Sequence, residues 1–214
     1  MNLEKETGIS TGVKQNGSLT VALTEHRHEE ILRQASMAKA FDVEVNEISI
    51  SELKSFHPFL NVDGVKGAVH LPLDGQGDPA NIAMALAKGA RDLGVKIFED
   101  TKVTGLSTHN NSVSGVHWAN ESGKGHIKTE NAANCAGMWA RDFAESHGVT
   151  VPLHACEHFY IVTEPVKNLS TLPVLRMPDE QTYYKEDAGK FLVGAFELQA
   201  KPWGMNGIDE NFCF

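Results

Sequence analysis

Hydrophobic and polar positions change period several times along the chain, and each change marks an element. After the turn "KQNG", the stretch "SLTVALT" alternates in strand fashion. "EHRHEEILRQASMAKAFD" then carries Ile31, Leu32, Ala35, Ala38 and Ala40 as a modest apolar stripe with acidic residues in the first turn, which predicts a helix. "VEVNEIS" is strand-like. "SISELKSFHP" reads as a short capped helix with Ser51 and Lys54 in its first turn and Pro58 beyond its end. "GAVHLP" is a further strand, and "DPANIAMALAKGARDLG" a strong helix with Pro79 at its first turn and Gly94 as its C-terminal cap. "VKIFED" predicts a strand, and the run from "KVTGL" to "NCAG" a meander of short strands joined by polar turns. "ACEHFYIVTEP" predicts a strand and "YYKEDAGKFLVGAFE" a hairpin. Strands and helices are mixed throughout, so the fold class is α+β or α/β. The chain opens inside what reads as a helix and stops at "GIDENFCF" with no closing element, as a piece of a longer protein would.

Composition narrows the function classes. The 214 residues carry a formal charge of −9, which argues against a nucleic-acid partner and against an anionic membrane surface. No apolar run approaches the roughly 20 residues of a membrane helix, and the charged start "MNLEKETG" lacks a secretion-signal core. Cys135, Cys156 and Cys213 are too scattered for a disulfide framework or a zinc site, so a reducing compartment and no metal are expected.

Three features invite a chemical reading. "GQGDPA", Gly75 to Ala80, matches a dinucleotide fingerprint, but Pro72 breaks the strand before it and Pro79 removes a backbone N–H where a pyrophosphate needs donors. A capped loop entering a helix is the better reading. Among the histidines, His26 and His28 open a helix in acidic company, and seven others stand alone. His158 differs, two residues before Tyr160 in a strand-like segment, where proton traffic and a structural role are both open. The third feature is "NCAGMWARDFAESHG", Asn134 to Gly148, where a turn of small residues runs straight into a helix.

Taken together, "SLTVALTEHRHEEILRQASMAKAFDVEVNEIS", "DGQGDPANIAMALAKGARDLGVKIFEDTKVTGL", "NCAGMWAR", "EHFYIVTEP" and "LPVLRMPDEQTYYKEDAGKFLVGAFE" resemble the FAD-dependent amine oxidoreductases of the D-amino-acid oxidase superfamily, in particular its dimethylglycine and sarcosine dehydrogenase branch. The resemblance spans essentially the whole chain. It implies an antiparallel-sheet substrate domain, residues 1–71 and 151–214, and part of a Rossmann-like FAD-binding domain, residues 72–150. It implies FAD as cofactor, with Ala136, Gly137 and Trp139 lining it and the backbone of Val103 at its adenine end. The family's H-x-Y and Y-Y pairs are similar to "EHFY" and "TYYK", which makes His158 and Tyr183 the catalytic pair and Tyr160 and Tyr184 their neighbours. Period-two alternation lets only one of Tyr183 and Tyr184 join such a site.

The activity so implied is oxidative demethylation of an N-methyl amino acid, a small-molecule partner, by hydride transfer to FAD. The histidine that binds flavin covalently in this branch is not in the chain, and tetrahydrofolate-binding modules would lie in a longer parent. The compartment implied is the cytoplasm for a bacterial source and the mitochondrial matrix for a eukaryotic one. Two other readings stand beside this one, a glycine or D-amino-acid oxidase relative and a catalytically empty binding or assembly domain.

Overall fold

The computed structural model describes residues 2–169, 172–209 and 211–212. In chain order the elements are α1 (Asn2–Thr7), β1 (Ser18–Ala22), α2 (Glu25–Ala40), β2 (Asn46–Ile48), α3 (Ile50–Phe56), β3 (Gly67–Leu71) and α4 (Pro79–Asp92). Then come β4 (Lys102–His109), β5 (Ser112–Asn120), β6 (Gly123–Lys128), a single 3-10 turn (Gly137–Trp139) and α5 (Ala140–Glu145). The rest is β7 (Ala155–Cys156), β8 (Tyr160–Pro165), β9 (Val174–Met177), β10 (Thr182–Asp187), β11 (Lys190–Ala195) and β12 (Pro202–Trp203). They form two compact units, residues up to Val95 with His158–Gln199, and Lys96–Glu157 with residues from Ala200 onward. Cys213 lies outside the described residues.

The first unit is built on a seven-stranded sheet in the order β2-β3-β1-β9-β10-β11-β8. Every neighbouring pair is antiparallel except β1 and β9, which run parallel. Strand β1 sits inside the sheet, and both of its faces are covered. Leu19 and Val21 pack with Leu53 of α3, Ala68, Leu175 and Met177 on one face. Ala22 packs with Ile31 and Ala35 of α2, Val45 and Val69 on the other. The alternation seen in "SLTVALT" therefore does not mark a wet face, since β1 is buried on either side of the half-buried Thr20.

Local chemistry explains the helix boundaries. Thr24 caps α2 by accepting from the Arg27 N–H at 3.2 Å. Asp179, in the turn between β9 and β10, accepts from the Leu23 N–H at 2.8 Å and from Arg27 Nε at 3.2 Å, and so ties that helix start to the sheet. Burial works against the Asp179 charge, yet these donors more than offset it and hold the carboxyl below the usual carboxylate range. Helix α3 starts where the sequence suggests, although Lys54 lies just past its first turn. Ser49 is its N-cap and forms a capping box with Glu52, so Ser51 lies inside the first turn. Helix α4 begins at Pro79, with Asp78 accepting from the N–H groups of Ala80 and Asn81, and Gly94 follows its end at φ +88°.

The "GQGDPA" segment is structural. Gln76 exchanges two backbone hydrogen bonds with Lys14, and a β-carbon at Gly75 would stand 2.0 Å from the Lys14 carbonyl oxygen. The glycine is required by close backbone approach, and the Asp78 carboxylate already occupies the helix-start donors that a phosphate would use.

The second unit holds a three-stranded antiparallel meander, β4-β5-β6, and the short pair β7 and β12. Two expected strands differ. "VKIFED" forms no ladder with any strand among the described residues. "ACEHFYIVTEP" splits into β7, which pairs with β12, and β8, which edges the seven-stranded sheet. Glu157 to Phe159 lie between them outside any strand. The long helix α4, assigned from sequence to the 72–150 segment, groups with the first unit, where its nearest helix is α1.

Candidate functional site

Strand register places the candidate residues of the first unit. Tyr183 of β10 stands opposite Gly194 of β11, and Gly194 stands opposite Tyr160 of β8. On its other side Tyr183 pairs with Arg176 of β9, which pairs with Thr20 of β1. Directly opposed residues share a face, so Arg176, Tyr183 and Tyr160 form one row across the sheet. Tyr184, one position on, belongs to the opposite face and packs against the Leu19 and Leu53 core. The structure therefore brings Tyr160 and Tyr183 to one face and keeps Tyr184 away from them.

The hydrogen at Gly194 shapes this row. A β-carbon there would lie 2.2 Å from two atoms of the Tyr183 ring and 2.4 Å from its hydroxyl, so the ring lies across the glycine. The Tyr183 ring also meets Phe196 at a centroid separation of 5.4 Å. Phe196 in turn meets the His158 ring edge-on at 5.9 Å. His158 stands two residues before β8, and its Nδ1 is 3.2 Å from Glu197 Oε2. His158 and Tyr183 thus share one aromatic neighbour, with the Phe196 ring between them. Among the described residues the hydroxyls of Tyr160 and Tyr183 and the guanidinium of Arg176 have no hydrogen-bond or ion-pair partner. Two phenols and a guanidinium on one sheet face, with an imidazole reached through Phe196, are groups that can hydrogen-bond a small zwitterion and exchange a proton with its nitrogen.

Three other histidines have structural positions. Burial pushes the His57 imidazole below its ordinary value, between Phe59 and Phe191. Burial lowers His70 as well, against Phe56. His147 accepts the Leu106 N–H at Nε2, 2.9 Å, while its Nδ1 lies 2.8 Å from the Phe143 carbonyl, and so it joins α5 to β4.

The second unit carries the other four candidates. Val103 lies on β4 opposite Trp118, half-exposed, just before a register irregularity. In "NCAGMWA" the Asn134 side chain closes the turn in both directions. Its Oδ1 accepts the Ala136 N–H at 3.2 Å and its Nδ2 donates to the Ala140 carbonyl at 2.9 Å. That answers why the turn begins with asparagine. Gly137 opens the 3-10 turn at φ +55°, a conformation that disfavours any residue with a β-carbon. Nothing lies within 4 Å of where that β-carbon would stand, and residues 131–137 are exposed. Trp139 is half-buried at the start of α5. A flat ring system can approach such an open, small-residue turn closely, so Ala136, Gly137 and Trp139 fit the seat of a flavin.

Arg176, Gly194, Phe196 and Glu197 were not singled out by the sequence. Gly194 and Phe196 could have been found from the hairpin, since the alternation that exposes Tyr183 also selects them on the facing strand. Arg176 comes from a separate strand whose pairing has no local signal.

The model of the family described as FAD dependent oxidoreductase matches residues 2–212 of the chain. The mitochondrial sarcosine dehydrogenase of Homo sapiens is 36% identical over 99% of this chain and 23% of its own length. The mitochondrial pyruvate dehydrogenase phosphatase regulatory subunit of Mus musculus is 36% identical over 94% of this chain and 23% of its length. The chain therefore spans about a quarter of these curated relatives. Among solved structures, the L-proline dehydrogenase of P. horikoshii superposes with a TM-score of 0.81 at 26% identity, over 92% of this chain and 52% of the other. No helix among the described residues is long and apolar enough to cross a membrane.

Proposed function

The chain belongs to the FAD dependent oxidoreductase family, and from that premise we propose that it is part of a flavoenzyme that oxidises the N-methyl carbon of a small amino acid such as sarcosine or dimethylglycine. The observation that supports this most is the sheet face carrying Tyr183, Tyr160 and Arg176, with His158 beside it across Phe196, in a chain so similar to a sarcosine dehydrogenase. When bound, FAD supplies the acceptor for the hydride. Ala136, Gly137 and Trp139 would hold it by the open turn and the indole ring, and Val103 by its backbone.

The chain's own residues handle the proton and the position of the substrate. An ammonium nitrogen has no lone pair to drive hydride loss from the adjacent carbon, so its proton must leave first. His158 accepts that proton. The Tyr183 hydroxyl hydrogen-bonds the amine and limits its rotation, with Tyr160 beside it on the same face. The Arg176 guanidinium has the planar donor pair that suits a substrate carboxylate. For the longer parent the reading extends to covalent FAD attachment and a tetrahydrofolate acceptor for the one-carbon unit, and to the mitochondrial matrix for a eukaryotic source or the cytoplasm for a bacterial one.

A second reading has its own support. The similarity to a protein named as a regulatory subunit favours a binding or assembly role on the same fold. Anaerobic mixing of the FAD-loaded protein with sarcosine or dimethylglycine separates the two. Bleaching of the visible flavin band is expected. A protein that holds FAD but is bleached by neither amine, nor by glycine or a D-amino acid, would leave the regulatory reading in place.

A further inference from the structure

We propose that Glu197 is a positioning residue, which holds the His158 imidazole in the tautomer that keeps its Nε2 lone pair free to accept a proton. This rests on the reading of His158 as the proton acceptor for the substrate amine. Glu197 directly follows Phe196, at the exit of β11, and its Oε2 stands 3.2 Å from His158 Nδ1. An ionised carboxylate can only accept a hydrogen bond, so in the neutral imidazole the proton resides on Nδ1 and the lone pair on Nε2. Among the described residues Nε2 has no partner. The Phe196 ring, edge-on to the imidazole at 5.9 Å, limits the ring's rotation from one side.

The pair adds little to stability. Its side chains are 48% and 41% exposed, and solvent screens an exposed ion pair to a small net contribution. A neutral histidine left in water favours the opposite form, with the proton on Nε2, which has no lone pair there to offer. Orientation and tautomer choice are therefore what the contact can supply.

The test reads the tautomer directly. Nitrogen-15 correlation spectra of the imidazole, taken at a pH where it is neutral and assigned with a His158→Asn variant, should show the Nδ1–H form in the unsubstituted chain. Glu197→Ala should shift His158 toward the Nε2–H form, and Glu197→Asp, whose carboxylate still only accepts, should restore part of the Nδ1–H population. In the FAD-loaded protein, Glu197→Ala should slow flavin reduction by sarcosine about tenfold or more, in line with the loss of part of a general base's contribution. An unchanged tautomer in Glu197→Ala overturns the inference, as does a shifted tautomer with an unchanged reduction rate. Failure of the underlying function looks different, with no reduction by any amine even in the unsubstituted protein while the tautomer shift persists.

Discussion

Replacing Gly194 by alanine should displace the Tyr183 ring while leaving the sheet intact. The new β-carbon would stand 2.2 Å from two ring atoms of Tyr183, where ordinary contact begins at 3.4 Å, so the ring must move by more than an ångström. The backbone at Gly194 lies inside a regular ladder between β8 and β10, so alanine itself is not strained there. Two terms oppose each other. Alanine reduces the entropy of the unfolded chain, which stabilises by about 0.4–1 kcal/mol. Overpacking costs about 1–3 kcal/mol, and falls at the low end here because a side chain rather than backbone yields. A net loss of about 1 kcal/mol is expected, read from urea denaturation. The effect on chemistry should be larger, since a shift of about 1 Å in a positioning group can cost about a hundredfold in rate. Stopped-flow reduction of the FAD-loaded variant by sarcosine measures it, and a crystal structure of the variant locates the ring. A displaced Tyr183 with an undiminished reduction rate would refute the role given to that residue. A ring left in place would refute the packing argument itself.

Other expected outcomes can be checked by stability, pH and cofactor measurements. Burial holds His57 below its ordinary 6.5, so below that pH the unfolded chain binds a proton that the folded protein does not. The urea midpoint should therefore fall between about pH 7.5 and about pH 5.5, and fall less in His57→Leu; an equal fall in both removes His57 as the cause. Glu186 is 7% exposed and accepts from Lys14 Nζ at 2.6 Å, from the Gly189 N–H at 2.8 Å and from Gln76 at 3.0 Å. The Lys14 hydrogen bond first, and the Gly189 N–H after it, depress this carboxyl below 4.5, so its stabilisation is present above that pH and lost as pH falls through the folded-state value. Glu186→Gln should cost about 1–3 kcal/mol at neutral pH and flatten the acid limb of the stability profile, which thermal melts across that range would show. Trp139→Ala should lower FAD retention on gel filtration without changing the far-ultraviolet spectrum, since a covered indole contributes about 1.5–3 kcal/mol of apolar contact. Equal flavin content in both proteins would make Trp139 a packing residue only.

Much of the local structure was decided by the chain itself. Pro79 and Asp78 start α4, Gly94 follows its end, and the "YYKEDAGKFLVGAFE" hairpin turns at Ala188 and Gly189, both at positive φ. Alternation alone separates Tyr183 from Tyr184, and Tyr184 does lie against the core. These features depend on backbone geometry within a few residues, which sequence encodes directly. Tertiary structure decided the rest, because pairing between distant strands has no local signature. "VKIFED" has strand character but no ladder partner among the described residues, and His158 lies outside the strand that its neighbours predict. The parallel pairing of β1 with β9 aligns Thr20 with Arg176, and the hairpin then aligns Arg176 with Tyr183, Gly194 and Tyr160. No period along the chain places a guanidinium beside those phenols or a Glu197 carboxylate beside His158. Cross-strand register does the first, the chain's path beyond the ends of β8 and β11 the second, and register is set by which apolar faces the whole sheet must bury.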